Sequence, residues 1–162
     1  MVTFHFEDVS FRLRGRRNVR TWLEDAVARE SDLSALSASG VATGTFELGS
    51  LGFVFCSDER LLEVNRQFLD HDYYTDIITF DDCSAGVLAG EMMVSVDRVR
   101  ENARTLGLRF EDEMHRVMAH GTLHLVGFKD GTEAERMEMQ AAEDRWLALR
   151  PDVLNVPRGT NA

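Results

Sequence analysis

Long unbroken apolar stretches are missing from this chain of 162 residues, positive charge is in short supply, and cysteine is held to two residues. No run approaches the roughly 20 apolar residues that a helix needs to cross a bilayer, which excludes a helical membrane protein. The opening MVTFHFED has no basic segment followed by an apolar one, so no secretory leader is expected and the chain reads as cytoplasmic, with no membrane partner. Cys56 and Cys83 lie far apart and fit neither C-x-x-C nor zinc-ribbon spacing. That excludes a cysteine-based zinc fold and leaves buried free thiols in a reducing compartment as the expectation. Basic residues number 18 against 28 acidic ones, a net charge of −10. A general binder of polyanions draws its affinity from cations that displace counterions, and this composition argues against one. No internal repeat is present.

What is present is enough for one domain with a real core, since 44% of the residues are hydrophobic. Residues 1–150 are expected to form a single domain and residues 151–162 a flexible tail. Val2, Phe4 and Phe6 alternate as an opening strand does, and Trp22, Leu23, Ala26 and Val27 recur at helical spacing behind an expected Asn18 cap. Ser37 to Gly44, rich in small residues, reads as a loop. An apolar strand around Phe53 to Phe55 follows. Ser57 or Asp58 then opens a helix carrying Leu61, Leu62, Val64 and Phe68 on one face. Thr75 to Phe80 and Gly90 to Val96 read as two strands whose polar connection, Asp81 to Gly86, suits an antiparallel pair.

Three helices complete the pattern: Asp97 to Leu106 stopped by Gly107, Glu111 to Val126, and a last one opened by a Thr132/Glu135 capping box and ending before Pro151. The fold class expected is α+β, a single domain with a small mixed sheet of about four strands and helices packed on it. Met137, Met139, Trp146 and Leu147 of the last helix read as core or partner-facing packing.

One run carries chemistry. In HGTLHLVGFKD, His120 and His124 stand four apart, so a helix stacks them on one face, and Gly127 then permits the positive φ that turns the chain back. Asp130 would return toward the two imidazoles. Three ligands of this kind with one coordination position left open are what a catalytic zinc needs. The frame matches the metalloprotease pattern H-E-x-x-H-x-x-G-x-x-H with Gly121 in place of the glutamate base and Asp130 in place of the third histidine. The first exchange argues against peptide hydrolysis by that route. The second keeps the ligand count while adding a negative charge, which makes a weaker Lewis acid and admits harder cations such as manganese.

The same run resembles the signature of the YbeY family of endoribonucleases, also called rRNA maturation factors, H-G-x-L-H-L-x-G-Y-D-H. Thr75 to Phe80 is similar to that family's T-D-V-L-S-F block, the segment from Gly90-Glu91 through Ser95 to its G-D-I-x-I-S strand, and Leu62 to Phe68 to its L-N-x-x-Y helix. The resemblance runs from about position 58 to the end of the helix after Asp130, with weaker agreement before it. It implies a metal-dependent, single-strand-specific endoribonuclease acting in maturation of the small-subunit 16S rRNA 3′ end and in ribosome quality control. It also implies one zinc per chain, with manganese as the other divalent ion. The implied partners are ribosomal RNA and the small ribosomal subunit, with ribosomal proteins or an assembly GTPase beside them. The metal site would sit on a central helix and the loop after it. Two departures stand out: Lys129-Asp130 replaces the family's Asp-His, and Leu69 falls where the family has an arginine suited to phosphate.

Secondary candidates follow. Arg66, one turn before Leu69, is a candidate RNA contact, against a plain exposed helix residue. Arg14, Arg16 and Arg17, crowded with Arg12 and Arg20 while acid gathers from Glu133 to Asp144, read either as RNA contacts or as a solvated turn. Glu91 is a candidate proton acceptor, and Asp76 a candidate to orient a ligand or touch substrate. His115, five residues before His120, turns away from the ligand face and reads as structural or exposed; His5 and His71 show no partner. Two rival functions remain: a ribosome-associated factor without catalysis whose metal staples the helix to the next loop, and a metalloprotease with its base supplied from elsewhere.

Overall fold

The computed structural model describes residues 1–36 and 45–155. In chain order it contains β1 (Val2–Phe6), α1 (Arg16–Leu36), β2 (Glu47–Cys56), α2 (Asp58–Leu69), β3 (Ile77–Asp81), β4 (Val87–Ser95), α3 (Val96–Leu106), α4 (Phe110–Val126), α5 (Glu133–Ala148) and α6 (Asp152–Asn155). The four strands form one mixed sheet in the order β1-β2-β4-β3. β1, β2 and β4 run parallel, with Phe4 opposite Phe53 and Phe53 opposite Met92, and β3 closes the edge antiparallel to β4. Parallel neighbours need a crossover, which α1 supplies between β1 and β2.

Because side chains alternate across a strand, the sheet has two unlike faces. Leu51, Phe53, Phe55, Met92 and Val94 meet Trp22, Leu23, Met118, Leu123 and Trp146 in the main core. The opposite face carries a smaller cluster in which Val54, Cys56, Ile78 and Met93 pack on Leu61 and Val64 of α2. Helix α4 is buried on nearly every side and packs on β3, β4, α3 and α5, which makes it the central rod of the domain. Its approach to the sheet is possible at Gly121, where an added Cβ would stand 2.5 Å from Ile77 Cδ1 and 3.0 Å from Met92 Cγ.

The element order and the α+β class agree with the periodicity, and the caps explain most boundaries. Ser57 and Ser95 accept from the backbone of Arg60 and Arg98, and Thr132 with Glu135 closes the capping box of α5. Several expectations need correction. Asn18 lies inside α1, which begins at Arg16 just after Gly15 at φ 61°, so it caps nothing. Cys56 is buried as expected, but Cys83 is exposed in the connection between β3 and β4. Phe68 is 63% exposed although it shares the helical spacing of the buried face of α2. The segment read as a tail is built into the fold at its start, where α6 buries Leu154 over Gly15. Ser37 to Gly44 and residues 156–162 lie outside the described residues. No described helix is long and apolar enough to cross a membrane.

Candidate metal centre

Helix α4 ends at Gly127, whose φ of 117° disfavours any side chain. The Gly127 N–H donates to the His124 carbonyl at 3.1 Å and the Phe128 N–H to the Leu123 carbonyl at 3.0 Å, the paired bonds of a Schellman turn. This turn does two things for the site. It presents the Phe128 carbonyl to His124 Nδ1 at 3.0 Å, and it delivers Asp130 to the imidazoles. Asp130 Oδ2 stands 3.4 Å from His120 Nε2 and 3.3 Å from His124 Nε2, and the two Nε2 atoms are 3.0 Å apart. Tetrahedral ligands about 2.0–2.1 Å from a zinc ion lie about 3.3–3.4 Å from one another, so the two edges to Asp130 match one face of such a site and the 3.0 Å edge between the histidines is shorter.

The outer contacts decide which nitrogens are free. A carbonyl oxygen only accepts, so His124 Nδ1 is its donor. His120 Nδ1 likewise donates to Glu143 Oε1 at 2.5 Å. In the neutral imidazoles both Nε2 atoms are therefore acceptors, and they converge with a carboxylate oxygen. Three lone pairs facing one another repel unless a cation lies among them. The same three residues form the one cluster of His, Cys, Asp or Glu able to hold a metal among the described residues.

Glu143 was invisible as a site residue in the sequence. It is 5% exposed, on the inward face of α5 between Met139 and Trp146, and it also accepts from Arg116, which in turn pairs with the buried Glu113. Burial disfavours the His120 imidazolium, yet the Glu143 hydrogen bond and the charges of Glu143, Asp130 and Asp76 outweigh it and raise the pKa. A charged residue at a core-facing position of α5 is the signal that identifies Glu143.

The remaining candidates fall in different places. Asp76 lies close enough to His120 and Arg116 to feel both charges, accepts from Asn102 Nδ2 at 3.2 Å, and has its pKa raised by burial. Glu91 is on the other face of the sheet: its neighbours Gly90 and Met92 face Leu125 and Gly121 of α4, whereas its own side chain faces Gly52. It cannot act as proton acceptor beside the histidines. Gly121, at the position of the metalloprotease glutamate, is pressed on the sheet and leaves no room for a base. Arg66 is exposed and paired with Asp72. Arg16 lies over the Phe6 ring and Arg20 bonds the Val2 carbonyl, both along β1. That edge is three strands from β3, about 14 Å at a spacing of about 4.8 Å per strand, so these arginines are not gathered at the histidines. Arg14 pairs with Glu111. His115 is buried against Trp22, with Arg150 donating toward its Nδ1, and has a structural place.

Comparison with known proteins places this geometry in context. The sequence model described as endoribonuclease YbeY matches residues 14–149. A protein named endoribonuclease YbeY from Cytophaga hutchinsonii is 45% identical over 150 residues, covering 92% of this chain and 95% of that relative. One of the same name from Bacteroides fragilis is 48% identical, covering 92% of this chain and 97% of that relative. The solution structure of a Thermotoga maritima protein superposes with a TM-score of 0.61 over the whole of both chains at 23% identity, a likeness of fold.

Proposed function

The chain belongs to the endoribonuclease YbeY family, and from that premise we propose that it is a metal-dependent hydrolase of phosphodiester bonds in single-stranded RNA, with His120, His124 and Asp130 as its metal ligands. The observation that carries this reading is the convergence of three acceptor atoms, two of them held in the metal-binding tautomer by Glu143 and Phe128. Zinc fits the donor set and the triangle best, with manganese admitted by the carboxylate. A divalent ion held there supplies Lewis acidity to a phosphoryl oxygen and makes a water easier to ionise.

The chain's own residues do the rest. His120 and His124 aim their lone pairs, fixed from behind. Asp130, half exposed on its turn, adds charge and leaves the outer side of the site open to a strand. Asp76 is the carboxylate that feels His120 from the residue before β3, and we assign it the holding of a proton or of a substrate hydroxyl. Arg66 is a candidate phosphate contact if the strand displaces Asp72, in place of the arginine that Leu69 replaces. Arg14, Arg16 and Arg17 are candidates for more distant parts of the strand. As the finer assignment we propose cytoplasmic maturation of 16S rRNA at its 3′ end and ribosome quality control, with the small subunit, ribosomal proteins or an assembly GTPase as partners.

A purely structural metal is the second reading, and one feature weighs against it. The turn that bears Asp130 is already closed by backbone hydrogen bonds, and α4 is held by the sheet, so the fold has little need of an ion. Incubation with a single-stranded oligoribonucleotide tests the proposal. Cleavage should stop with EDTA, return with added zinc or manganese, and be absent in His124→Ala; cleavage indifferent to both would refute it.

A further inference from the structure

A cavity of about 660 Å³ opens at the far end of α4 from the two histidines. Its volume is that of a small-molecule site, which spans about 300–1,000 Å³. His115 lies in its wall, five residues before His120 on α4, about 7.5 Å along the axis and turned to another face of the helix. The two sites are therefore distinct.

Four arginines line this cavity, Arg12, Arg14, Arg100 and Arg109, against one acidic residue, Glu111, in a chain whose net charge is −10. They come from three segments: the approach to α1, helix α3 and the start of α4. Arg109 is fixed by a two-pronged bond to Asp112, at 2.8 Å on each side. Arg100 is held over the Phe110 ring, 5.4 Å from its centroid, with only a 3.9 Å ion pair to Asp97. Arg12 has no hydrogen bond or ion pair among the described residues. Arg14 is held by a 3.8 Å pair to Glu111, which leaves Arg12, with the loosely paired Arg100, to receive an anion.

The interior is apolar, with Phe11, Phe110, Met114 and Leu154 among the wall residues. It contains one polar group of note. His115 is 3% exposed, burial keeps it neutral with a pKa lowered to about 4, and its Nδ1 lies 3.0 Å from the Arg150 guanidinium. A guanidinium only donates, so the imidazole proton is on Nε2, for which the described residues offer no acceptor. An unpaired donor in the cavity wall favours a ligand with an acceptor. An alkyl chain would leave that donor unpaired, and a lone carboxylate would leave either Arg12 or Arg100 unanswered.

We propose that this cavity binds a nucleoside monophosphate unit, its phosphate on Arg12 and Arg100 and its base laid against Met114 and the edge-to-face pair of Phe11 and Phe110, with a base acceptor on His115 Nε2. Phosphate accepts two-pronged bonds from more than one guanidinium, and a planar base packs on an apolar wall while offering ring nitrogens or carbonyls to a donor. The unit has two sources, a free nucleotide or a residue of an RNA strand, and the strand version alone rests on the RNA reading of the metal centre.

Isothermal titration of the full chain in EDTA with AMP, GMP, inorganic phosphate, decanoate and a short single-stranded oligoribonucleotide separates the possibilities. The expected result is mononucleotide binding stronger than that of phosphate or decanoate. Binding should weaken by about tenfold or more in Arg12→Glu and in Arg100→Glu, the loss of at least one charge-assisted bond, and stay unchanged in Arg29→Glu, an exposed position of α1 outside the cavity. An oligoribonucleotide that binds tighter than AMP through the same arginines identifies the strand as the source; AMP binding at least as tightly identifies the free nucleotide. No nucleotide binding, phosphate or decanoate binding as well as AMP, or indifference to both charge reversals in variants that keep the parent melting temperature overturns the proposal. Binding here needs neither metal nor cleavage, so its failure leaves the hydrolase reading standing, and failure of cleavage leaves the mononucleotide result standing.

Discussion

Glu143→Gln removes a negative charge from behind a metal ligand while keeping size and one acceptor oxygen. In the native protein Glu143 Oε1 is 2.5 Å from His120 Nδ1 and its Oε2 is 3.4 Å from Arg116 Nη1. The amide oxygen still accepts from Nδ1, so the imidazole keeps its orientation but loses the charge that makes Nε2 a better donor to the ion. A lost partner of this kind weakens metal binding by about 10–100-fold, or about 1.4–2.7 kcal/mol. Arg116 keeps Glu113, so no buried cation is stranded and the fold survives. The pH dependence sharpens the test. Glu143 raises the His120 pKa in the metal-free protein, and a proton there competes with the ion. The variant lowers that pKa, which lightens proton competition at about pH 6 and changes little at about pH 8. The affinity deficit should therefore be larger at the higher pH. Competition with a chromogenic chelator at both pH values measures it. Equal affinity for variant and parent at about pH 8 would refute the assignment of Glu143 as the residue that sets His120.

Gly121→Ala places a methyl 2.5 Å from Ile77 Cδ1 and 3.0 Å from Met92 Cγ. The overpacking, about 1–3 kcal/mol, offset by a helix gain of about 1 kcal/mol, leaves a net loss of up to about 2 kcal/mol, and a higher melting temperature in the variant would contradict it. The metal-free protein should also lose stability on acidification through His115. Its folded pKa of about 4 is below the ordinary 6.5, so the unfolded chain takes up a proton between those values that the folded chain refuses. Stability present above about 6.5 is lost as pH falls toward about 4, by at most about 3 kcal/mol. Urea titrations from about pH 7 to about pH 4.5 should show the slope, and His115→Gln should flatten it; an equally steep slope in the variant would rule His115 out as its source. Brief treatment of the native protein with a thiol-alkylating reagent should add one group, at exposed Cys83, because Cys56 is buried with its pKa raised to about 12. Two adducts on folded protein would contradict the burial.

The parts of this molecule legible in its sequence are those written in local rules. Alternation in Val2 to Phe6, the Thr132/Glu135 box and glycine after α3 and α4 each act within a few residues, and they give the elements and most of their ends. The spacing of His120, His124 and Asp130 is local too, which is why three ligands on one helix and its turn can be read from eleven letters. What escaped depends on packing between distant segments. Glu143 meets His120 across 23 positions, and only the burial of that face of α5 distinguishes it from its solvated acidic neighbours. Glu91 was misplaced because strand alternation says that it opposes its neighbours but not which face α4 covers. Phe68 follows the helical spacing of a buried face, yet it meets only the edge strand, its ring edge-on to Phe80 of β3, and stays exposed. Arg12 and Arg100 meet at one cavity through a crossover that no local pattern encodes.

Metal content per chain, measured on the purified parent and on Asp130→Ala, tests the central claim most directly. The account predicts close to one divalent ion per parent chain, and a variant that is folded yet largely emptied of it and inactive on RNA. A parent free of metal that still cuts RNA, or an Asp130→Ala chain that keeps its ion and its activity, would contradict it.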